Sequence, residues 1–199
     1  MVSFKFLSII AAVSALVSAD AAPTTSNSPQ GVKYSALFEK SIKGSVNFTT
    51  TSNGTVQVEV DLSNFPSSGG PFTYHIHEAP VPSDGNCTGT KLHLNPYHGL
   101  ANATTPSMLE VGDLSGRHGK ISGTSYNATY LDPYVSLNPS DKAFPGGLSI
   151  TIHFASNNSR IACSNITKVE NVTPKPNSGS SFAAPRVLAG VAIMGALIM

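Results

Sequence analysis

The chain of 199 residues has no tryptophan, 2 cysteines and few charges, with Asp, Glu, Lys and Arg making up only 12%. It has 12 basic and 11 acidic residues, so no broad basic face can form, which excludes nucleic acid as a partner. No segment shows a sustained helical face of apolar residues at the 3.6-residue period, so an α-helical fold is not expected. Neither terminal apolar run is long enough to span a bilayer comfortably. The length suits one domain. The 40% of hydrophobic residues is concentrated at the two ends, and without Lys5 and Arg186 the polar middle carries one more acid than base.

Lys5 precedes the apolar stretch Phe6 to Val17, and Val17-Ser18-Ala19 supplies small residues for cleavage. This is the three-part pattern of a signal peptide over residues 1–19. At the other end, small residues at Asn177-Ser178-Gly179 and a short spacer precede an apolar tail from Val187 to Met199. As a helix that tail would rise only about 20 Å, short of the roughly 30 Å hydrocarbon core. The pattern is that of a GPI-attachment signal over 178–199, with Asn177 bearing the lipid. The expected location is therefore outside the cell, anchored to the outer surface or the wall, with the GPI lipid and wall glucan as neighbours. Asn-x-Ser/Thr triplets at Asn47, Asn53, Asn86, Asn102, Asn127, Asn157, Asn165 and Asn171 fit a secreted glycoprotein.

Between the ends, residues 20–30 read as a flexible arm, 31–167 as the folded domain and 168–177 as a linker. The domain's periodicity is two: Val56, Val58, Val60 and Leu62 alternate with Gln57, Glu59 and Asp61. Ser52-Asn53-Gly54 ahead of it is a turn signal, with Val46 and Phe48 on the preceding strand. Further strands are predicted over Tyr34–Phe38, Phe72–His77, Ile121–Thr129, Leu148–Phe154 and Arg160–Ile166. Several short strands between Gly/Pro/Ser turns indicate an all-β sandwich or barrel. Residues 79–112 form one long loop, a size that is usually functional.

Six histidines stand out. His75 and His77 share one face of their predicted strand, while Tyr74 and Ile76 take the other. His153 similarly opposes Ile150 and Ile152, so with apolar faces inward all three imidazoles project outward from the sheet. His93, in the long loop, can fold back over them. Four neutral imidazoles on one spot suit Cu(II) or Zn(II); the other reading of the spacing is scattered surface histidines. His118, in a turn-like Gly116-Arg117-His118-Gly119, reads as a solvated loop residue. Phe72, Tyr74 and Phe154 read as packing residues.

His75-Ile76-His77-Glu78, Cys87, His93-Leu94-Asn95-Pro96, Val111-Gly112-Asp113-Leu114, Gly147 to His153 and Ser159-Arg160-Ile161-Ala162-Cys163 follow one motif order. In this the chain resembles the copper/zinc superoxide dismutases over roughly residues 32–166, and its ends resemble the extracellular fungal copper-only branch. Gly44-Ser45-Val46-Asn47-Phe48 is similar to that family's early strand. The resemblance implies a Greek-key antiparallel β-barrel or sandwich, immunoglobulin-like, a fold group for which superoxide dismutase is a standard example. It implies His75, His77, His93 and His153 as ligands of one copper ion per chain. It also implies Arg160 as the cation that attracts and orients superoxide, and Cys87–Cys163 as a disulfide, which an oxidising compartment permits.

Two departures from the family pattern bear on zinc. Glu110 stands where a histidine should precede Val-Gly-Asp, and His98 lies closer to His93 than expected. The segment from His153 to Cys163 is too short for the long charged loop that narrows the family's copper channel. The expectation is an open copper site without zinc, in which Glu110 orients His93 through its other ring nitrogen and Asp113 joins that network or caps a turn. The activity expected is conversion of superoxide to O2 and hydrogen peroxide, by a monomer. The alternatives are a copper-storing surface glycoprotein and an enzyme that keeps a zinc site.

Overall fold

The computed structural model describes residues 19–170. The predicted signal peptide up to residue 18, the predicted GPI signal and most of the predicted linker, with Asn171 and Asn177, lie outside the described residues. Among the described residues there are seven strands: β1 Lys33–Glu39, β2 Lys43–Thr50, β3 Val56–Ser63, β4 Phe72–His77, β5 Ser125–Asp132, β6 Ser149–Phe154 and β7 Arg160–Lys168. One short helix, α1, covers Leu114–His118.

All pairings are antiparallel, in the order β4-β6-β7-β1-β2-β3-β5. β7 joins two halves of this curled sheet: Ile166 and its successors pair with β1, and the stretch before them pairs with β6. The chain leaves β3 for β4 at the far edge and returns to the opposite edge with β5, a Greek-key path. The two edges meet where Phe72 and Ile121 exchange backbone bonds of 2.8 Å and where Tyr74 and Tyr130 share a 3.0 Å hydroxyl contact.

Alternation builds the core. Val56, Val58, Val60 and Leu62 of β3 point inward onto Val46, Phe48, Ala36 and Phe38, and Ile76, Ile150 and Ile152 close the other side. Burying a side chain of this size contributes about 1.5–3 kcal/mol. The disulfide between Cys87 and Cys163 closes a loop with a sequence separation of 76, which adds about 4.5 kcal/mol in the chain-entropy account.

Three sequence expectations need correction. The strand predicted over Ile121–Thr129 starts later, at Ser125, because Gly123 with φ +84° turns the chain after Ile121. Residues 20–30 are a docked strap: Asp20 and Ala22 bond the carbonyls of Tyr97 and Ser107, and Thr25 Oγ1 donates to Val135 O at 2.7 Å. Their small side chains let the backbone lie close enough to be bonded, burying Ala22, Thr25 and Ser28. The 79–112 segment is subdivided by 3₁₀ turns at Cys87–Thr90 and Pro106–Met108.

Candidate metal centre

β4 and β6 bring three of the histidines onto one surface. Thr73 pairs with His153 and His75 with Thr151, so their side chains stand on the face opposite Phe72, Tyr74 and Ile76. This face, outward from the sheet, is covered, which is at odds with the alternative of scattered surface histidines: His75, His77 and His153 are 7%, 1% and 4% exposed. The cover is the long loop. Residues 92–94 run beside β4, with Glu78 N bonded to Leu92 O and Leu94 N to Ile76 O, and this sets His93 opposite His77.

Gly112 makes the approach possible. A Cβ there would lie 2.2 Å from the Ile76 carbonyl oxygen. The Gly112 carbonyl accepts from Ile76 N–H and its N–H donates to Leu94 O. The following Asp113 caps α1, its Oδ1 accepting from Gly116 N–H at 2.7 Å.

Each imidazole has one nitrogen committed. His77 Nδ1 donates to Lys91 O at 3.0 Å and His153 Nδ1 to Asn158 O at 2.9 Å. His93 Nδ1 donates to Glu110 Oε2 at 2.5 Å. His75 Nε2 lies 3.1 Å from Ser115 Oγ and 3.4 Å from Asp113 Oδ1. The lone pairs left over belong to His75 Nδ1 and to Nε2 of His77, His93 and His153. His75 Nδ1 is buried with no partner, and the Nε2 atoms of His77 and His153 are 3.1 Å apart.

Two neutral acceptors at that distance repel unless a cation lies between them, and nitrogen–metal bonds of about 2.0 Å bring nitrogens this close. One ligand atom from each of the four residues falls within 4.8 Å of every other. The residues therefore fit a nitrogen-bound metal such as copper.

The electrostatics agree. Burial, followed by repulsion from His93, His153 and Arg160, lowers His77 to about 3. Burial also takes His153 to about 4 and lowers His75. These three are thus unprotonated at neutral pH, the form that binds metal. Asp113 is held below the usual carboxylate range: burial opposes this, but bonds from His75 and from Gly116 N–H prevail.

Arg160 lies on the same cavity, about 510 Å³, together with Lys91 and Lys120. A bulge between Ile152 and His153 skips one residue of β7 and places Arg160 opposite His153. Its guanidinium is fixed by the carbonyls of Cys87, Thr88 and Lys91 and by Thr90 Oγ1. The β6–β7 connection is a tight turn, with Phe154 N bonded to Ser159 O and Asn158 at φ 58°.

A protein-family profile described as copper/zinc superoxide dismutase matches residues 42–185. The chain belongs to this family. It is 46% identical over 170 residues to the cell surface Cu-only superoxide dismutase 5 of Candida albicans, covering 83% of this chain and 74% of that protein. It is 44% identical over 169 residues to that organism's cell surface superoxide dismutase [Cu-Zn] 4, covering 83% and 72%. Among solved structures, Candida albicans superoxide dismutase 5 with Cu(II) superposes with a TM-score of 0.68 at 44% identity, covering 76% of this chain and all of that one.

The remaining predicted residues fall as follows. Glu110 meets His93, and Asp113 caps α1 and meets His75. Exposed His98 lies outside the four-histidine cluster. His118 is not a solvated loop residue: it ends α1, bonds Asp132 Oδ2 at 2.9 Å and stacks on Tyr130 at 3.7 Å. Asn47 is half-buried, whereas Asn53, Asn86, Asn102, Asn127, Asn157 and Asn165 are exposed. Sequence reasoning missed Ser115 on His75, Asn95 on Glu110 and the carbonyls of Lys91 and Asn158. Ser115 carries a weak signal, being two residues beyond Asp113; a carbonyl carries none.

Proposed function

We propose that this cell-surface superoxide dismutase works at a single open copper site without zinc, held by His75, His77, His93 and His153. The observation that carries the reading is the convergence of four imidazole lone pairs, one of them buried with no other partner, beside a fixed arginine. Bound copper would supply the one-electron redox chemistry by which two superoxide ions and two protons give O2 and hydrogen peroxide.

The protein supplies the rest. The carbonyls of Lys91 and Asn158 keep protons on the Nδ1 atoms of His77 and His153 and so leave Nε2 free. Glu110 does the same for His93. That bond also occupies the nitrogen with which His93 would bridge to a zinc ion, which supports the copper-only reading. Arg160, with its carbonyl partners, presents a fixed positive charge to an anionic substrate, and Lys91 and Lys120 on the same cavity add to it. Attachment of Asn177 to GPI, contact with wall glucan, use of the exposed sequons and a monomeric state complete the proposal.

The test is to load the protein with both Cu(II) and Zn(II), then measure metal content and activity. One copper per chain, no retained zinc and activity proportional to copper is the expected result. Retained zinc would overturn the copper-only reading. Negligible turnover at full copper occupancy would make the protein a copper store.

A further inference from the structure

We propose that Arg117 and Asp132 are positioning residues for the metal centre, acting through the segment from Glu110 to His118. That one segment orients two of the four imidazoles: Glu110 accepts from His93 Nδ1, while Asp113 and Ser115 meet His75 Nε2. On one side the segment is held to β4 and to Leu94 through Gly112. On the other side it is held by Arg117.

The Arg117 guanidinium donates to the carbonyls of Glu110, at 2.8 Å, and Val111, at 2.5 Å. Its Nε and Nη2 lie 3.1 and 3.0 Å from Asp132 Oδ2. Asp132 closes β5 and is itself held on every side. Its Oδ1 accepts from the N–H groups of Tyr134 and Val135, and its Oδ2 also meets His118 Nε2. Arg117 further lies over the Tyr134 ring, 5.3 Å from its centre. Both charges are buried, with side-chain exposures of 2% and 0%.

Burying such a pair desolvates two ions and adds little net stability over apolar packing. What it supplies here is a fixed place for two carbonyls. Moving them moves the Glu110 carboxylate, which besides His93 has only a longer bond from Asn95, at 3.3 Å, among the described residues. The lone pair of His93 then turns with it. The barrel edge at β5 thus sets the geometry of a site built on β4 and β6.

Arg117→Lys separates charge from clamp, since one ammonium cannot hold Asp132 and two carbonyls in the same geometry. The inference rests on the copper site proposed above. The experiment compares the electron paramagnetic resonance spectrum and the Cu(II) affinity of wild type, Arg117→Lys and the core variant Val60→Ala, with Tm measured for each. Arg117→Lys should change the copper hyperfine splitting and weaken copper binding about tenfold or more, the usual effect of losing an outer partner. Val60→Ala should lower Tm while keeping the wild-type spectrum.

A wild-type spectrum and affinity in Arg117→Lys would overturn the inference, and so would an equal change in Val60→Ala. Should Arg117→Lys not fold, His118→Gln carries the test. It leaves Arg117 in place and loosens Asp132, so a smaller change in the same direction is expected and an unchanged spectrum refutes. Wild-type protein that binds no copper would sink both readings, whereas wild-type-like variants sink this one alone.

Discussion

In β3, buried and more exposed residues alternate one by one, whereas all six residues of β4 are buried. The two strands share a hydrophobic inner face and differ in what lies outside. The outer face of β3 carries Gln57, Glu59 and Asp61, which water can satisfy. That of β4 carries Thr73, His75 and His77 beneath residues 90–94 and 110–116, where every polar atom needs a partner. Apolar burial is non-directional and tolerates small shifts. A buried imidazole is directional, and one partner on one nitrogen decides what the other can do. The barrel therefore sets stability, and the covered face sets chemistry.

Removing a ligand separates these two roles most sharply. His153→Ala should abolish stoichiometric copper binding and lower activity by more than the roughly 10–100-fold that losing an outer partner costs. Metal content and turnover check this, with circular dichroism showing the strands retained. The converse is Phe48→Ala in the barrel, which should cost about 3–5 kcal/mol by denaturant unfolding and leave the copper spectrum of the folded fraction unchanged. An altered spectrum would erase the distinction between the two regions.

Acid gives a smaller effect. In metal-free protein His77 and His153 sit at about 3 and about 4, below the ordinary value of about 6.5. As pH falls below about 6.5 the unfolded chain binds protons that the folded one refuses. Stability is therefore full above that pH and declines down to about 4–3. Tm should drop by several degrees between pH 7 and 4.5, and His153→Gln should flatten the slope; an equal slope would place its source elsewhere.

The smallest effects concern the cavity rim. Arg160→Ala should slow superoxide turnover and reduce its ionic-strength dependence. Lys120→Gln should do the same by about two- to fivefold, an electrostatic-steering effect for which superoxide dismutases are a standard illustration. Stopped-flow rates across a salt series measure both, and a salt response identical to wild type would remove Lys120 from that role.

The alternation in β3 and the His75-x-His77 spacing were legible because a strand's faces depend only on its own sequence. The edge strand β5 was read several residues early, since its start is set by a turn at Gly123 and by the pairing of Ile121 with Phe72. His118 was misread for a related reason: its partners, Asp132 and Tyr130, come from a strand that its own neighbourhood does not announce. The strap at residues 20–30 looks flexible by composition and is fixed by backbone bonds that composition does not encode.

Sequence alone therefore determined the strand faces, the shared face of His75 and His77 and the two cysteines available for a bond. Tertiary structure decided which nitrogen of each histidine stays free, which imidazole Glu110 and Asp113 each meet, and how Arg160 is held. The reason is physical. Those choices are made by carbonyls and carboxylates brought in from distant parts of the chain, and a lone pair's direction depends on the partner its ring already has.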